Sequence, residues 1–347
     1  MVANPSISHI YANYQHSLST LLPYYRRSTS NDRSGCSPIN SLEEESKFTE
    51  VLTELVETHR DTIPILARGF LESRKYISPQ QVTAFLDEHL RARIGTRLIA
   101  EQHIALHHSS LSPNMEIGQR STYNGVIDTA LRPADIINTC GNFVAEICEL
   151  KYGIRPTWVI DGDPDTSFAY VPVHLEYICT ELLKNAFRAT VESGRGREPV
   201  VVTIAAEPED EDELAASVLD QAMDEEGKGK GAPGVTIRIR DRGGGIQPRV
   251  LPDIWSYSFS TFESDNEDIP GGGSGVNHPG GGSMGGMDAL NNVIGGPGGF
   301  NSSIAGLGYG LPLSRAYAEY FGGGIAVQSL FGWGCDVYLR LKGVGHR

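Results

Sequence analysis

The hydrophobic period of this 347-residue chain changes after Gly153, and that change constrains the fold more than any other feature. Before it, apolar residues recur at helical spacing. Phe48, Val51, Leu52, Leu55, Val56, Ile63, Leu66 and Phe70 lie mostly on one face of residues 48–75, with Pro64 predicted to kink or interrupt the run. Ser78-Pro79-Gln80-Gln81 is a helix start, with serine at the N-cap and proline at the first position. From it a long helix is predicted through Phe85, Leu90, Ile94, Leu98 and Leu106. Long amphipathic helices in succession predict a bundle. The pattern breaks at 109–114, a short irregular stretch follows, and Arg132-Pro133-Ala134-Asp135 opens another helix. After Gly153 strands alternate with helices. Strands are predicted at 157–160, 199–204, 234–240, 324–329 and 336–341, and helices at 173–191 and 311–320. The expectation is an α+β protein, with a helical bundle over 1–125 and an α/β sandwich with a mixed sheet over 126–347.

Two segments fit neither part. Residues 207–231 are acidic and poorly hydrophobic, which predicts a solvated insertion. Residues 263–305 are Gly-rich, and sixteen of the 40 glycines fall between positions 271 and 310. Such a segment buries too little apolar surface to offset its ordering entropy. The net charge of −14 argues against a nucleic-acid partner, whose affinity would come from a basic surface. The five cysteines lack zinc-ligand spacing and read as free thiols. No apolar run reaches the roughly 20 residues of a membrane span. The N-terminus has no secretory apolar core; its serines with Arg26 and Arg27 are too weak a pattern to read as a mitochondrial presequence.

Three motifs carry chemistry. On a helix, Glu181, Lys184, Asn185 and Arg188 fall within an arc of about 100°, while Leu182, Leu183, Ala186, Phe187 and Ala189 fill the other side. Alone, this is better explained by a solvated face with a Glu–Lys pair. Asp241 follows a strand and precedes Gly243 and Gly245. A carboxylate there can accept a hydrogen bond from an exocyclic amine, while the glycines admit a flat ring. Gly306-Leu307-Gly308-Tyr309-Gly310-Leu311 leads into a helix, whose N-terminus offers N–H groups and a positive dipole end to an anion. The Gly-rich segment lies between these last two motifs, where a mobile lid would sit. The phosphate-binding GxxxxGK[ST] loop and the VAIK, HRD and DFG elements are missing.

In this order the three motifs resemble the N, G1 and G2 boxes of the Bergerat-fold (GHKL) ATPases. The longer runs Glu181-Leu-Leu-Lys-Asn-Ala-Phe-Arg-Ala-Thr-Val-Glu192, Ile239-Arg-Asp-Arg-Gly-Gly-Gly-Ile246 and Gly308-Tyr-Gly-Leu-Pro-Leu-Ser-Arg315 are similar to those of the mitochondrial 2-oxo acid dehydrogenase kinases. That family comprises the pyruvate and branched-chain enzymes. The resemblance implies an ATP-dependent serine kinase that inactivates a 2-oxo acid dehydrogenase complex by phosphorylating its E1α subunit in the mitochondrial matrix. It further implies a homodimer docked on the lipoyl domain of the E2 core. Glu181 would be the general base, with Lys184 and Arg188 balancing phosphate charge. Asn185 would hold Mg²⁺. Asp241, with Gly243 and Gly245, would read adenine. Ser260 and Thr261 would touch the nucleotide, and Gly306 to Leu311 would cover the phosphates. K⁺ is admitted as a further ion.

The chain departs from the family at several places, and the long C-terminal tail of some pyruvate enzymes is expected to be missing. Tyr177 stands where the pyruvate enzymes have a histidine four residues before the base, and the branched-chain enzyme resembles this chain there. Cys335 replaces threonine in Gly334-Cys335-Asp336, which weakens an expected water-mediated adenine contact. Asn4-Pro-Ser-Ile-Ser-His-Ile-Tyr11 resembles a point inside the family's bundle, so the family's first helix and presequence are expected to be missing. Two alternatives share the ATP fold. A two-component histidine kinase would use His103 or His107, but no proline follows at the usual distance. A non-kinase ATPase is disfavoured by Lys184. His103 and His107, at i and i+4, lack a third metal ligand and read as packing and surface residues. Trp158, Trp255 and Trp333 read as core.

Overall fold

The computed structural model describes residues 3–29, 39–111, 122–208, 233–257 and 308–345. Most of the acidic insertion and the whole Gly-rich segment lie outside the described residues. The chain divides into two compact units, one from Met1–His89 with Asp253–Pro312 and one from Leu90–Pro252 with Leu313–Arg347.

The first unit is helical. Helix α1 spans Pro5–Thr29, α2 Leu42–Thr58, α3 Thr62–Ser73 and α4 Pro79–Leu111, of which the part up to His89 belongs here. Ser41 caps α2, its hydroxyl accepting from the Glu44 N–H at 3.2 Å. The predicted interruption falls at 59–61, upstream of Pro64, which α3 accommodates in its first turn where the missing N–H costs nothing. The α4 start is as predicted. Ser78 Oγ accepts from the Gln81 N–H, and Gln81 Oε1 accepts from the Ser78 N–H at 3.1 Å, a reciprocal cap. Ile10, Leu55, Ile63, Leu66, Phe70 and Leu86 form the unit's core. Helices α1 and α3 approach closely at Gly69, where a Cβ would meet the Ile7 side chain at 2.8 Å. Helix α1 falls within the predicted bundle, although its bounds were not read from the sequence.

The second unit holds two sheets. Strands β1 (Tyr123–Asn124), β2 (Ile127–Leu131) and β4 (Phe168–Tyr170) form a small antiparallel sheet in the order β1-β2-β4. Strands β3 (Trp158–Gly162), β5 (Val200–Ala206), β6 (Gly234–Arg240), β7 (Gly324–Leu330) and β8 (Gly334–Lys342) form the main sheet, ordered β3-β5-β6-β8-β7. Its β3–β5 pair is parallel and the others antiparallel, so the sheet is mixed as expected. One face is apolar, with Val200, Val202, Ile204, Val235, Ile237, Ile239, Leu339 and Leu341 buried at alternate positions. Each such side chain contributes about 1.5–3 kcal/mol on burial. The other face carries polar pairs, including a two-pronged Arg240–Asp336 bridge at 2.7 and 2.6 Å.

Helix α5 (Pro133–Tyr152) packs along α6 (Pro172–Glu192), and α6 lies against β5 and β6. Helix α7 spans Gly310–Tyr320. Cys140, Cys148, Cys179 and Cys335 are free thiols, as expected, and Cys36 lies outside the described residues. No described helix is long and apolar enough to cross a membrane, and no described group of acidic, histidine and cysteine side chains could hold a metal ion.

Candidate active site

Helix α6 is oriented by its apolar stripe. Leu175, Ile178, Leu182, Leu183, Ala186 and Phe187 are buried. The remaining arc presents Glu181, Lys184, Asn185 and Arg188 together, as the periodicity predicted. Lys184 Nζ lies 2.5 Å from Glu181 Oε1, with side-chain exposures of 28% and 13%. Their partial burial makes the pair worth more than a fully solvated one. Asn185 is exposed, and its amide has no hydrogen bond among the described residues. Its oxygen suits a hard cation.

Arg188 is engaged further along the helix. Its Nε donates to Glu192 Oε1 at 2.7 Å, and the Tyr152 hydroxyl donates to the same oxygen at 2.9 Å. Burial would raise the Glu192 carboxyl, but these two bonds together with the Arg188 and Lys151 charges outweigh it and hold it below the usual carboxylate range.

Asp241 follows β6 directly and is buried. Its Oδ1 accepts from the Gly243 N–H at 2.7 Å and the Cys335 N–H at 3.3 Å, so Oδ2 keeps its lone pairs for another donor. Burial pushes the carboxyl up, against the pull of those two N–H groups. The glycines have separate reasons. Gly244 and Gly245 adopt φ of 87° and 73°, which favours glycine. Gly243 seats the turn on α6, where a Cβ would come within 2.4 Å of Ala189 Cβ. That contact brings Asp241 to the helix bearing Asn185.

In the first unit, Gly308 has φ 74°, Tyr309 is buried beside the Tyr257 ring at 5.3 Å, and Gly310 opens α7. Tyr257 OH donates to Asp87 at 2.7 Å. Leu311 continues α7. Ser260, Thr261, Gly306 and Leu307 lie outside the described residues.

Position 177 is not at the surface. The Tyr177 ring is buried against Tyr317, with centroids 5.4 Å apart. The helix does carry one histidine, His174, also buried and 4.6 Å from the Tyr317 ring. Its Nδ1 has no hydrogen-bond partner among the described residues, and burial, aided by the Arg97 charge, lowers its pKa to about 4. The tryptophan expectation needs correction. Trp333 is 55% exposed at the β7–β8 turn, with the Arg242 guanidinium 4.3 Å above its ring. A hairpin tip has no second layer to bury an indole, so a cation covers one face instead. Arg195, absent from the sequence reading, donates from Nη1 to the carbonyls of Arg242 at 3.0 Å and Trp333 at 3.1 Å. Partners so far along the chain leave no local signal.

Residues 1–128 match the sequence family described as mitochondrial branched-chain alpha-ketoacid dehydrogenase kinase. The chain is 31% identical over 353 residues to pyruvate dehydrogenase (acetyl-transferring) kinase 1, mitochondrial, of Saccharomyces cerevisiae, covering 99% of this chain and 72% of that protein. It is 30% identical over 310 residues to the mitochondrial pyruvate dehydrogenase (acetyl-transferring) kinase of Arabidopsis thaliana, covering 87% and 69%. To the mouse (Mus musculus) isozyme 4 it is 26% identical over 357 residues, covering 99% and 70%. An α+β body with these relatives is that of an ATP-using protein kinase. Within that class, the chain belongs to the mitochondrial 2-oxo acid dehydrogenase kinase family.

Proposed function

We propose that this chain phosphorylates a serine of the E1α subunit of a 2-oxo acid dehydrogenase complex in the mitochondrial matrix and thereby inactivates the complex. The observation that carries this reading is the seating of the Asp241 turn on α6 through Gly243 and Ala189, which joins an amine reader to an arc bearing a carboxylate, an amide and two cations. The names of the matched relatives favour pyruvate dehydrogenase over the branched-chain complex as substrate.

On this reading Glu181 accepts the proton of the substrate serine hydroxyl as it attacks the γ-phosphate. Lys184 holds the Glu181 carboxylate in place and adds positive charge beside the transferring group. Asn185 holds Mg²⁺ through its amide oxygen, an exposed acceptor with the donor chemistry that ion prefers. The ion supplies charge neutralisation on the phosphates. Arg188 contributes field from its Glu192-anchored position. Asp241 accepts from the adenine amine through Oδ2, with Gly243 and Gly245 giving the base room. By the family resemblance Gly306 to Leu311, Ser260 and Thr261 are read as the nucleotide-facing set, the N–H groups of a helix start suiting phosphate. K⁺ binding, a homodimer and docking to the E2 lipoyl domain complete the proposal, with the bundle over 1–125 and the nucleotide domain over 126–347 as its functional halves.

The test incubates the purified chain with labelled ATP and each E1 component. Phosphoserine on pyruvate dehydrogenase E1α, with loss of dehydrogenase activity, is expected. An acid-labile phosphohistidine on the chain itself would instead make it a histidine kinase.

A further inference from the structure

The Asp241 carboxylate owes its direction to backbone N–H groups from two separate segments, its own glycine turn and the β7–β8 turn. These segments are zipped together. The Asp241 N–H donates to the Cys335 carbonyl at 3.0 Å, the Gly244 N–H to the Trp333 carbonyl at 3.3 Å and the Gly332 N–H to the Gly244 carbonyl at 2.7 Å. The Ile246 N–H donates to Ser329 Oγ at 2.7 Å. No side chain could intervene, since a Cβ on Gly334 would sit 2.1 Å from the Asp241 carbonyl oxygen and one on Gly245 would sit 2.5 Å from that of Leu330.

One side chain spans both segments and starts from a third. Arg195 lies just beyond α6, its own N–H donating to the Thr190 carbonyl at 3.0 Å. It follows Gly194, whose φ of 75° turns the chain back. From there a single guanidinium nitrogen takes the carbonyls of both Arg242 and Trp333. The end of the Asn185 helix, the turn bearing Asp241 and the hairpin bearing Cys335 therefore meet at one cation. Arg242, stacked on Trp333, ties the turn to the hairpin as well.

We propose that Arg195 is a positioning residue for base recognition: it holds the Arg242 and Trp333 carbonyls so that Asp241 Oδ2 faces an adenine amine. The proposal rests on the reading of Asp241 as the adenine acceptor. Without the clamp the glycine turn, left with its backbone bonds and the Arg242–Trp333 stack, is held less tightly, and discrimination suffers before overall binding does.

The experiment measures equilibrium binding of ATP and ITP to the full chain and to Arg195→Met, Arg195→Lys and Asp241→Asn, with melting temperatures in the absence of nucleotide. ITP carries a 6-oxo group where ATP has the amine, so it reports binding that does not use Asp241. Arg195→Met is expected to weaken ATP about tenfold, leave ITP nearly unchanged and so erase most of the ATP preference. Arg195→Lys, which keeps a cation but whose ammonium sits nearer the backbone than Nη1, is expected to recover part of the preference. An unchanged ATP-to-ITP ratio in Arg195→Met, or equal losses for both nucleotides, overturns the proposal. Should Arg195→Met fail to fold, an unaltered ratio in Arg195→Lys overturns it instead. If Asp241→Asn leaves the ratio intact, the reading of Asp241 is what fails, whatever Arg195 does.

Discussion

Lys184 reaches across one helical turn to bond Glu181 at 2.5 Å, so the carboxylate proposed as general base is already held by a cation on its own helix. An i,i+3 pair on a wet helix is worth a few tenths of a kcal/mol. Here the two groups flank the arc where a phosphoryl group would be transferred, which gives the pair a positional role as well.

Glu181→Gln keeps the shape and removes the proton acceptor. It is expected to lower kcat by about 10²–10⁴-fold with little change in the ATP dissociation constant. Lys184→Met, which frees the carboxylate and removes a charge, is expected to lower kcat less. Single-turnover transfer to E1α, measured beside nucleotide binding, separates the two. Equal turnover in Glu181→Gln would refute the base assignment.

Asn185→Ala removes the exposed amide without touching the buried stripe of α6. Melting temperature should stay within a few degrees, since surface substitutions generally act within about 0.5 kcal/mol. Magnesium-dependent ATP binding should fall steeply. A calorimetric titration of ATP with and without Mg²⁺ checks both halves, and retained Mg²⁺ dependence would remove Asn185 from the metal role.

Asp241 carries a carboxyl that burial pushes up, so ionising it is costly in the absence of a ligand. Asp241→Asn preserves an acceptor for the Gly243 and Cys335 N–H groups. It should leave the nucleotide-free protein as stable as before, or more so, while weakening ATP. Thermal denaturation with and without ATP reads the two effects separately.

Gly243→Ala places a methyl group within 2.4 Å of Ala189 Cβ and 2.6 Å of its carbonyl carbon. Both belong to a helix that cannot recede, so the turn must lift. A loss of about 1–3 kcal/mol in stability is expected, typical of overpacking, together with weaker ATP binding. Chemical denaturation measures the first, and an unchanged midpoint would show that the turn has slack.

His174 is held neutral, its pKa lowered from 6.5 to about 4 by burial among Tyr317 and Phe321 and by the Arg97 charge. The unfolded chain binds this proton more tightly than the native one. The native advantage is therefore complete above pH 6.5 and is lost as pH falls toward 4. The depression corresponds to about 3 kcal/mol. His174→Leu should flatten that part of the stability profile at little cost at neutral pH, because Nδ1 has no hydrogen bond to lose among the described residues. An identical slope in the variant would assign the acid sensitivity elsewhere.

Much of the fold was legible because its elements repeat a local period. The α6 stripe, the β-branched runs of β5 and β6 and the start of α4 at Pro79 all declare themselves within a few residues. The small sheet did not, because strands of two, five and three residues are too short to show alternation. The break between α2 and α3 was foreseen, but Pro64 pulled it downstream, since a proline in a first turn looks the same in sequence as one that ends a helix. Trp333 was misread because a bulky indole ordinarily signals burial, and nothing nearby in sequence indicates a hairpin tip with Arg242 above it.

The sequence by itself determined which residues could share a face. Glu181, Lys184, Asn185 and Arg188 lie on one arc because a helix turns by 100° per residue, and Asp241 ends a strand because β-branched residues precede it. The tertiary structure alone decided that these two elements pack against each other. The contact of Gly243 with Ala189, the clamp of Arg195 on two distant carbonyls and the burial of Tyr177 and His174 depend on what packs across the gap between elements. Close packing is a property of facing surfaces, and no short-range period along the chain encodes it.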